Sequence, residues 1–285
     1  MKNISVSIQA RLKNFSKESG LDYTIVSRLY MQEGCLRRIS LSSYPDSFYL
    51  KGGLLLYSLS GFSSRPTQDI DLLGSNVSRE ESGLRKIMTD ILTIDADDGL
   101  NFHIDTIEFT DITEGADYQG KRMKILCTLG NMKTNLKLDF GFGDSVYPAP
   151  VEMDYPQLLG EQGFRVLAYS LESVIAEKFE AMIVLDALNS RMKDFYDIHQ
   201  ILKENSLSGN IISEAIRQTF NTRHTVLPDN PAVFSEGFST NARNLGLWEA
   251  FLKRIKSEYI SLDEVVSTIS KHLKPIYLNL KDTSE

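Results

Sequence analysis

Two aspartates one residue apart, Asp69 and Asp71, follow a pair of glycines, Gly52 and Gly53, and a third acid, Asp139, sits near the end of the run Asn135-Leu-Lys-Leu-Asp-Phe140. Side chains two apart on a β-strand project to one face. A strand over residues 69–73 would therefore present both carboxylates together and turn Ile70 and Leu72 to the core. Carboxylates crowded on one face repel each other unless a cation lies between them. Hard oxygen ligands of this kind suit Mg2+, which takes one or two carboxylates and completes its shell with the phosphates of a substrate. Glycines at a strand-to-helix turn let backbone amides approach those phosphates, and the helix N-terminus favours negative charge. A second metal ion needs a further ligand. Asp139 supplies it if Leu136, Leu138 and Phe140 alternate toward the core and leave the acid on the other face. The residues thus read as a two-metal site in which Asp69 and Asp71 hold a nucleotide's phosphates and Asp139 activates the attacking hydroxyl. Alone, Asp-x-Asp is more often a strand end or turn; the glycines upstream and Asp139 downstream turn the balance.

Apolar periodicity supplies the elements that must position these groups. The first forty residues predict helix, residues 47–50 a strand, and residues 54–61 a helix ending at Gly61. A strand at 69–73 precedes a helix over 78–92 with Ser78 as its N-cap. Strands follow around 105–109, 122–128 and 134–140. After the proline-bearing stretch 147–156 the pattern turns helical, over 171–188, 194–204, 209–220, 245–258 and 261–273. The loop 221–241, with Pro228 and Pro231, separates two of these helices. The expected class is α+β: a mixed half over residues 1–160 bearing the carboxylates, then a helical half over 161–285.

In the helical half, Leu171, Val174, Ile175 and Met182 share one helix face with Lys178 in its middle. A lysine there must snorkel out or reach a buried anion. Asp194 shares a face with Ile198 and Ile201 on the next helix. Lys178 could contact nucleotide phosphates with Asp194 orienting it, or the two could form an ordinary ion pair. Residue types alone leave both readings open.

The stretch from Lys51 to Leu72 resembles the signature of the polymerase-β-like nucleotidyltransferases, in which a glycine turn precedes Asp-x-Asp. More narrowly, the chain is similar to the AbiEii/AbiGii toxin family of nucleotidyltransferases. The resemblance lies in Leu50-Lys-Gly-Gly53, in Arg65-x-Thr67-x-Asp69-Ile-Asp71-Leu and in Lys137-Leu-Asp139. Farther on it lies in Glu177-Lys178, Arg191-x-Lys193-Asp194-Phe-Tyr-Asp197 and Trp248-x-x-Phe251-Leu. It implies a mixed sheet with flanking helices followed by a helical domain. It also implies a Mg2+-dependent transfer of a nucleoside monophosphate from an NTP to an acceptor hydroxyl. By it, Asp69, Asp71 and Asp139 would be metal ligands, Gly52, Gly53, Arg65 and Thr67 would line the nucleotide, and Lys178 and Asp194 would join the site. The acceptor would be RNA, notably tRNA, and an antitoxin protein would restrain the enzyme. Fifteen residues lie between Gly53 and Asp69, more than is usual in the superfamily, which bears on the length of the intervening helix and loop.

The chain has 285 residues, 42% hydrophobic and 24% charged, with a formal net charge of −7. That is enough to bury a core in one large or two small domains, and it argues against a wholly basic nucleic-acid grip. The only two cysteines, Cys35 and Cys127, lack metal or disulfide spacing, so a reducing cytoplasm is the expected compartment. No apolar run reaches membrane-span length, and the opening residues lack the apolar stretch of a signal peptide. Asp95-Ala-Asp97-Asp98-Gly99 lacks the glycine position and final glutamate of a calcium loop and reads as a surface turn. His103, His199, His224 and His272 are scattered, and Ser63 and Ser64 lack a histidine and acid around them. Lys253, Arg254, Lys256, Lys271 and Lys274 read as solvated helix faces, with an RNA-backbone contact as the alternative. Competing functions are nucleotidyl transfer to a small molecule or protein, and a nucleotide- or partner-binding module that has lost catalysis.

Overall fold

The computed structural model describes residues 4–62, 65–114, 118–160 and 162–283; Ser63 and Ser64 lie outside them. The chain divides into two compact units, Met1–Gly143 with Pro150–Ala168, and Asp144–Ala149 with Tyr169–Glu285.

The first unit holds α1 (Ile4–Ser19), α2 (Tyr23–Leu41), β1 (Phe48–Lys51), α3 (Gly52–Leu59), β2 (Asp69–Gly74), α4 (Glu81–Leu92) and β3 (Leu100–Glu114). It continues with β4 (Tyr118–Leu129), β5 (Met132–Phe142), β6 (Val151–Tyr155) and β7 (Phe164–Ala168). The seven strands form one sheet in the order β3-β4-β5-β2-β1-β7-β6. β2 runs parallel to β5 and antiparallel to β1, so the acid-bearing strands are neighbours at the centre. Period-two patterning sorts the faces. Met123, Ile125 and Cys127 of β4 and Leu136, Leu138 and Phe140 of β5 are buried, as are Ile70 and Leu72 of β2. The amphipathic helix α4 turns Leu84, Met88, Ile91 and Leu92 inward, and α2 packs against it and against β5 and β7.

Three expectations need correction. Strands β6 and β7 were not anticipated, because each is only five residues long and lies in a proline-bearing or irregular stretch. Helix α4 is capped at Glu80, while the Ser78 hydroxyl accepts a hydrogen bond from the Glu80 N–H at 3.1 Å and closes a turn just before the helix. Asp98 is no surface-turn residue. It lies buried in a bidentate pair with Arg38, at 2.6 and 2.9 Å, and the Arg38 guanidinium sits 4.7 Å from the Phe102 ring centre.

The second unit is helical: α5 (Leu171–Leu185), α6 (Met192–Glu204), α7 (Gly209–Thr222), α8 (Ala242–Ile255) and α9 (Leu262–Asp282). The Ser170 hydroxyl caps α5 by accepting from the Ser173 N–H. Helix α9 outruns its expected end and carries Pro275 inside. Aromatic contacts knit the bundle: Phe179 stacks on Phe220, Phe195 on Phe238, and Trp248 lies against Phe251 while its indole N–H donates to the Ile260 carbonyl at 2.7 Å. Segment 144–149 is tied into this unit. Arg223 bridges Asp144, Glu177 and Glu180 at 3.0, 3.2 and 2.9 Å, and the Tyr147 N–H donates to Ser173. Among the described residues no helix is long and apolar enough to cross a membrane.

Beneath β7 the first unit buries one acid whose charge is costly. Glu33, 2% exposed, accepts from the Leu158 N–H at 2.8 Å and from Arg37 at 3.0 Å. Burial nevertheless outweighs both partners and pushes its carboxyl up to about 7. A carboxyl raised in the folded state contributes stability at low pH that is lost as the pH climbs through the folded value. Glu33→Gln should therefore flatten the stability profile between pH 5 and 8. The variant should gain on the parent protein as pH rises, by on the order of a few kcal/mol across that window. Thermal melts at the two ends of the window check this; a difference that does not change with pH would rule it out.

Candidate active site

Cα register brings the predicted acids together. Arg122 of β4, Asp139 of β5, Asp71 of β2 and Lys51 of β1 are successive partners across four strands. Two residues along the strands, Lys124, Lys137 and Asp69 form a second row on the same face. Side chains at paired positions share a face, so three acids and the cations between them crowd the side of the sheet opposite the core. Asp69 stands 3.8 Å from the Lys137 ammonium. Asp139 receives both arms of Arg122, Nε at 2.8 Å and a terminal nitrogen at 2.6 Å. That bidentate bond, with the fields of Asp139, Asp69 and Asp71, raises the already basic Arg122 further.

The glycine turn closes on the same place. Gly52 has a φ of 64°, which favours glycine, and any Cβ there would collide with the Asp71 carboxylate. A Cβ on Gly53 would press on the Thr67 side chain, with the Arg65 guanidinium just beyond. Gly52, Gly53, Arg65, Thr67 and Asp71 therefore gather at the N-terminal end of α3. The long spacing between the glycines and Asp69 is taken up by a short helix, α3, and a turn with positive φ at Gly61 and Phe62.

Among the described residues no three histidine, cysteine or acidic side chains converge into a ready-made metal cage, and both oxygens of Asp139 are engaged by Arg122. The donors still fit Mg2+, which needs few protein carboxylates because substrate phosphates and water complete its shell. Asp69 Oδ1 in particular is buried without a hydrogen-bond partner among the described residues, the condition of an oxygen that a cation would satisfy.

The other predicted pair lies in the second unit. Lys178 is buried and donates to Asp194 at 2.7 Å and pairs with Asp197 at 2.8 Å, while Arg191 reaches the second Asp194 oxygen at 2.6 Å. Burial alone would push the Asp194 carboxyl up, but Lys178 and Arg191 hold it below the usual range. The ion-pair reading of Lys178 and Asp194 is what the geometry displays, and Asp197 joins as a second acid.

Two participants escaped the sequence reading. Asp197 was visible one helical turn after Asp194 but was given no role. Arg122 was hidden by distance along the chain, although one local signal existed. Gly130 and Asn131 form a two-residue turn between Leu129 and Met132, and counting outward from it places Arg122 opposite Asp139. None of the four histidines enters either cluster. His199 is buried with both ring nitrogens unpartnered among the described residues, and burial holds its pKa down.

A seven-stranded mixed sheet with flanking helices thus carries the glycine turn and the Asp-x-Asp strand. Residues 34–268 match the family described as nucleotidyl transferase AbiEii toxin, type IV toxin–antitoxin system, and the chain belongs to that family. Among solved structures it is similar to a Helicobacter pylori protein described as a candidate nucleotidyltransferase, with 13% identity, a TM-score of 0.52, and coverage of 92% of this chain and 99% of the other. That likeness concerns the fold. A second H. pylori protein, JHP933, is 14% identical over 92% of this chain and 96% of its own, with a TM-score of 0.49. No curated protein matches the chain. The protein is a nucleotidyltransferase.

Breaking a buried ion pair by removing one partner strands the other charge and costs about 3–5 kcal/mol. Lys178→Ala removes the cation that Asp194 and Asp197 share and leaves Asp194 to Arg191, so it should lower stability by about that much, read as a shift of the urea midpoint. A nucleotide titration of the folded variant then measures any phosphate contact separately.

Proposed function

We propose that the protein transfers a nucleoside monophosphate from an NTP to the hydroxyl of an RNA end, with Mg2+ held by Asp69, Asp71 and Asp139. The observation that carries this reading is the register of Asp71 beside Asp139, with Gly52 closing on the Asp71 carboxylate. When bound, Mg2+ would neutralise charge on the phosphates and on the oxygens entering and leaving phosphorus.

The chain's own groups divide the remaining work. Backbone amides at Gly52 and Gly53 and the start of α3 receive phosphate oxygens, with Arg65 and Thr67 beside them. Lys178, oriented by Asp194 and Asp197, is assigned to the nucleotide's phosphates. Asp139 accepts the proton of the acceptor hydroxyl as its oxygen bonds to the α-phosphorus. The bond from that phosphorus to the bridging oxygen breaks, and pyrophosphate leaves with the electron pair.

The type IV toxin–antitoxin description of the family supports an antitoxin partner, and the RNA acceptor is what the resemblance to the family implies. The exposed lysines Lys124 and Lys133, on the strands that bear Arg122 and Asp139, and Lys253, Arg254, Lys256, Lys271 and Lys274 of α8 and α9 and the turn after α8 offer phosphate contacts. Transfer should then weaken as salt rises.

Incubation with each labelled NTP, Mg2+ and total RNA should yield labelled RNA. Asp69→Ala and Asp71→Ala should abolish the label while leaving the fold intact, since Ile70 and Leu72 keep the strand anchored; near-normal labelling by either variant would sink the metal assignment. Expression of the intact protein without an antitoxin should slow bacterial growth and Asp71→Ala should not, and equal toxicity of the two would detach the effect from the chemistry.

A further inference from the structure

Three acids, Asp69, Asp71 and Asp139, share their face with three cations in paired positions, Lys137, Lys51 and Arg122. The site is therefore close to neutral before any ligand enters. Two divalent ions and a triphosphate add nearly equal and opposite charge, so their arrival asks the existing cations to change partners rather than leave. Arg122 is the one whose bond stands directly in the way. Its fork takes one lone pair on each oxygen of Asp139, the pair facing Arg122, so the carboxylate has lost that edge and part of its negative charge to the guanidinium before a metal or a hydroxyl proton arrives.

The same bond is built to be exchanged. The Arg122 side chain is 36% exposed and that of Asp139 17%, so water can reach either group, and separating them costs less than separating a fully buried pair. A guanidinium fork fits phosphate as well as carboxylate. Lys137, by contrast, approaches Asp69 only to 3.8 Å.

We propose that Arg122 is the placeholder cation of this site: it holds Asp139 in the metal-free protein, gives it up to the divalent ion, and turns its fork to the phosphates of the nucleotide. The inference rests on the metal-dependent reading above. It makes Arg122 a positioning residue with opposite effects on the two ligands. Removing it frees Asp139 for metal and deprives the nucleotide of a phosphate contact.

The test is binding, with no turnover. Mn2+ is titrated into the full-length protein without nucleotide and followed by the loss of free-ion resonance signal. Non-hydrolysable analogues of the four NTPs are then titrated at saturating Mn2+. Arg122→Gln should bind Mn2+ roughly three- to tenfold more tightly than the parent protein, and its preferred analogue more weakly by a similar factor. Arg122→Lys keeps the charge but not the fork, so it should fall between the two on both scales, and it carries the test if the glutamine variant does not fold. Unchanged or weaker Mn2+ binding by Arg122→Gln overturns the proposal. So does tighter Mn2+ binding with undiminished nucleotide affinity, which would leave Arg122 as no more than a repelling charge. Asp71→Asn separates the two levels: if it abolishes Mn2+ binding, the metal site stands whatever Arg122 does. If the parent protein binds no Mn2+ that Asp71→Asn removes, the metal reading fails and the placeholder with it.

Discussion

Carboxylates on adjacent strands of one sheet face can stay crowded only while cations offset their repulsion. That constraint organises the first unit. β2 and β5 run parallel and in register, which sets Asp71 beside Asp139 and Asp69 beside Lys137. β4, antiparallel to β5, then delivers Arg122 to Asp139, and β1 delivers Lys51 to Asp71. The buried side of the same strands keeps the arrangement from slipping. A shift of one residue would turn Leu136, Leu138 and Phe140 to solvent and the charged groups into the core. Hydrophobic packing thus fixes the register, and the register fixes the electrostatics.

The second unit meets a related constraint by different means. The acids of its two clusters are buried or nearly so, and each is met by a cation within the unit. Lys178 answers both Asp194 and Asp197, and Arg223 answers Asp144, Glu177 and Glu180. In the second cluster three acids face a single guanidinium, and the hydroxyls of Thr225 and Tyr169 donate to Glu180 and Glu177 to support the excess negative charge. Because Asp144 precedes the unit's helices in the chain by many residues, this cluster also helps bind segment 144–149 to α5 and α7, beside the bonds of Tyr147 to Ser173 and of Ser145 to Gln218.

Local pattern made most of this readable from residues alone. Alternation in residues 69–73 and 134–140 placed the three acids on the face away from the core, and burial of Ile70, Leu72, Leu136, Leu138 and Phe140 agrees. The interrupted apolar face around Lys178 left it to snorkel out or to reach a buried anion, and it reaches two. What stayed hidden depended on tertiary register or on weak local signals. Five-residue strands such as β6 and β7 carry too few alternations to stand out from loop. Asp98 looked like a turn residue because its partner, Arg38, lies far upstream on α2. Arg122 required counting both strands outward from the turn at Gly130 and Asn131, a step that unites two segments otherwise read separately.

Comparing the two kinds of ion pair also assigns them different tasks. Removing one partner from the Lys178 cluster leaves buried charge behind, at about 3–5 kcal/mol, whereas water can reach both groups of the partly exposed Arg122–Asp139 pair and separating them costs less. A ligand with ordinary affinity can draw on several kcal/mol, so it can open the second pair readily and the first only by giving up most of its binding. Lys178 therefore stays bound to Asp194 and Asp197, as a fixed charge held in place by them. Arg122 can act by changing partner. The rigid cation suits recognition of a group already in position, and the exchangeable one suits a carboxylate that has to be available only once the nucleotide has arrived.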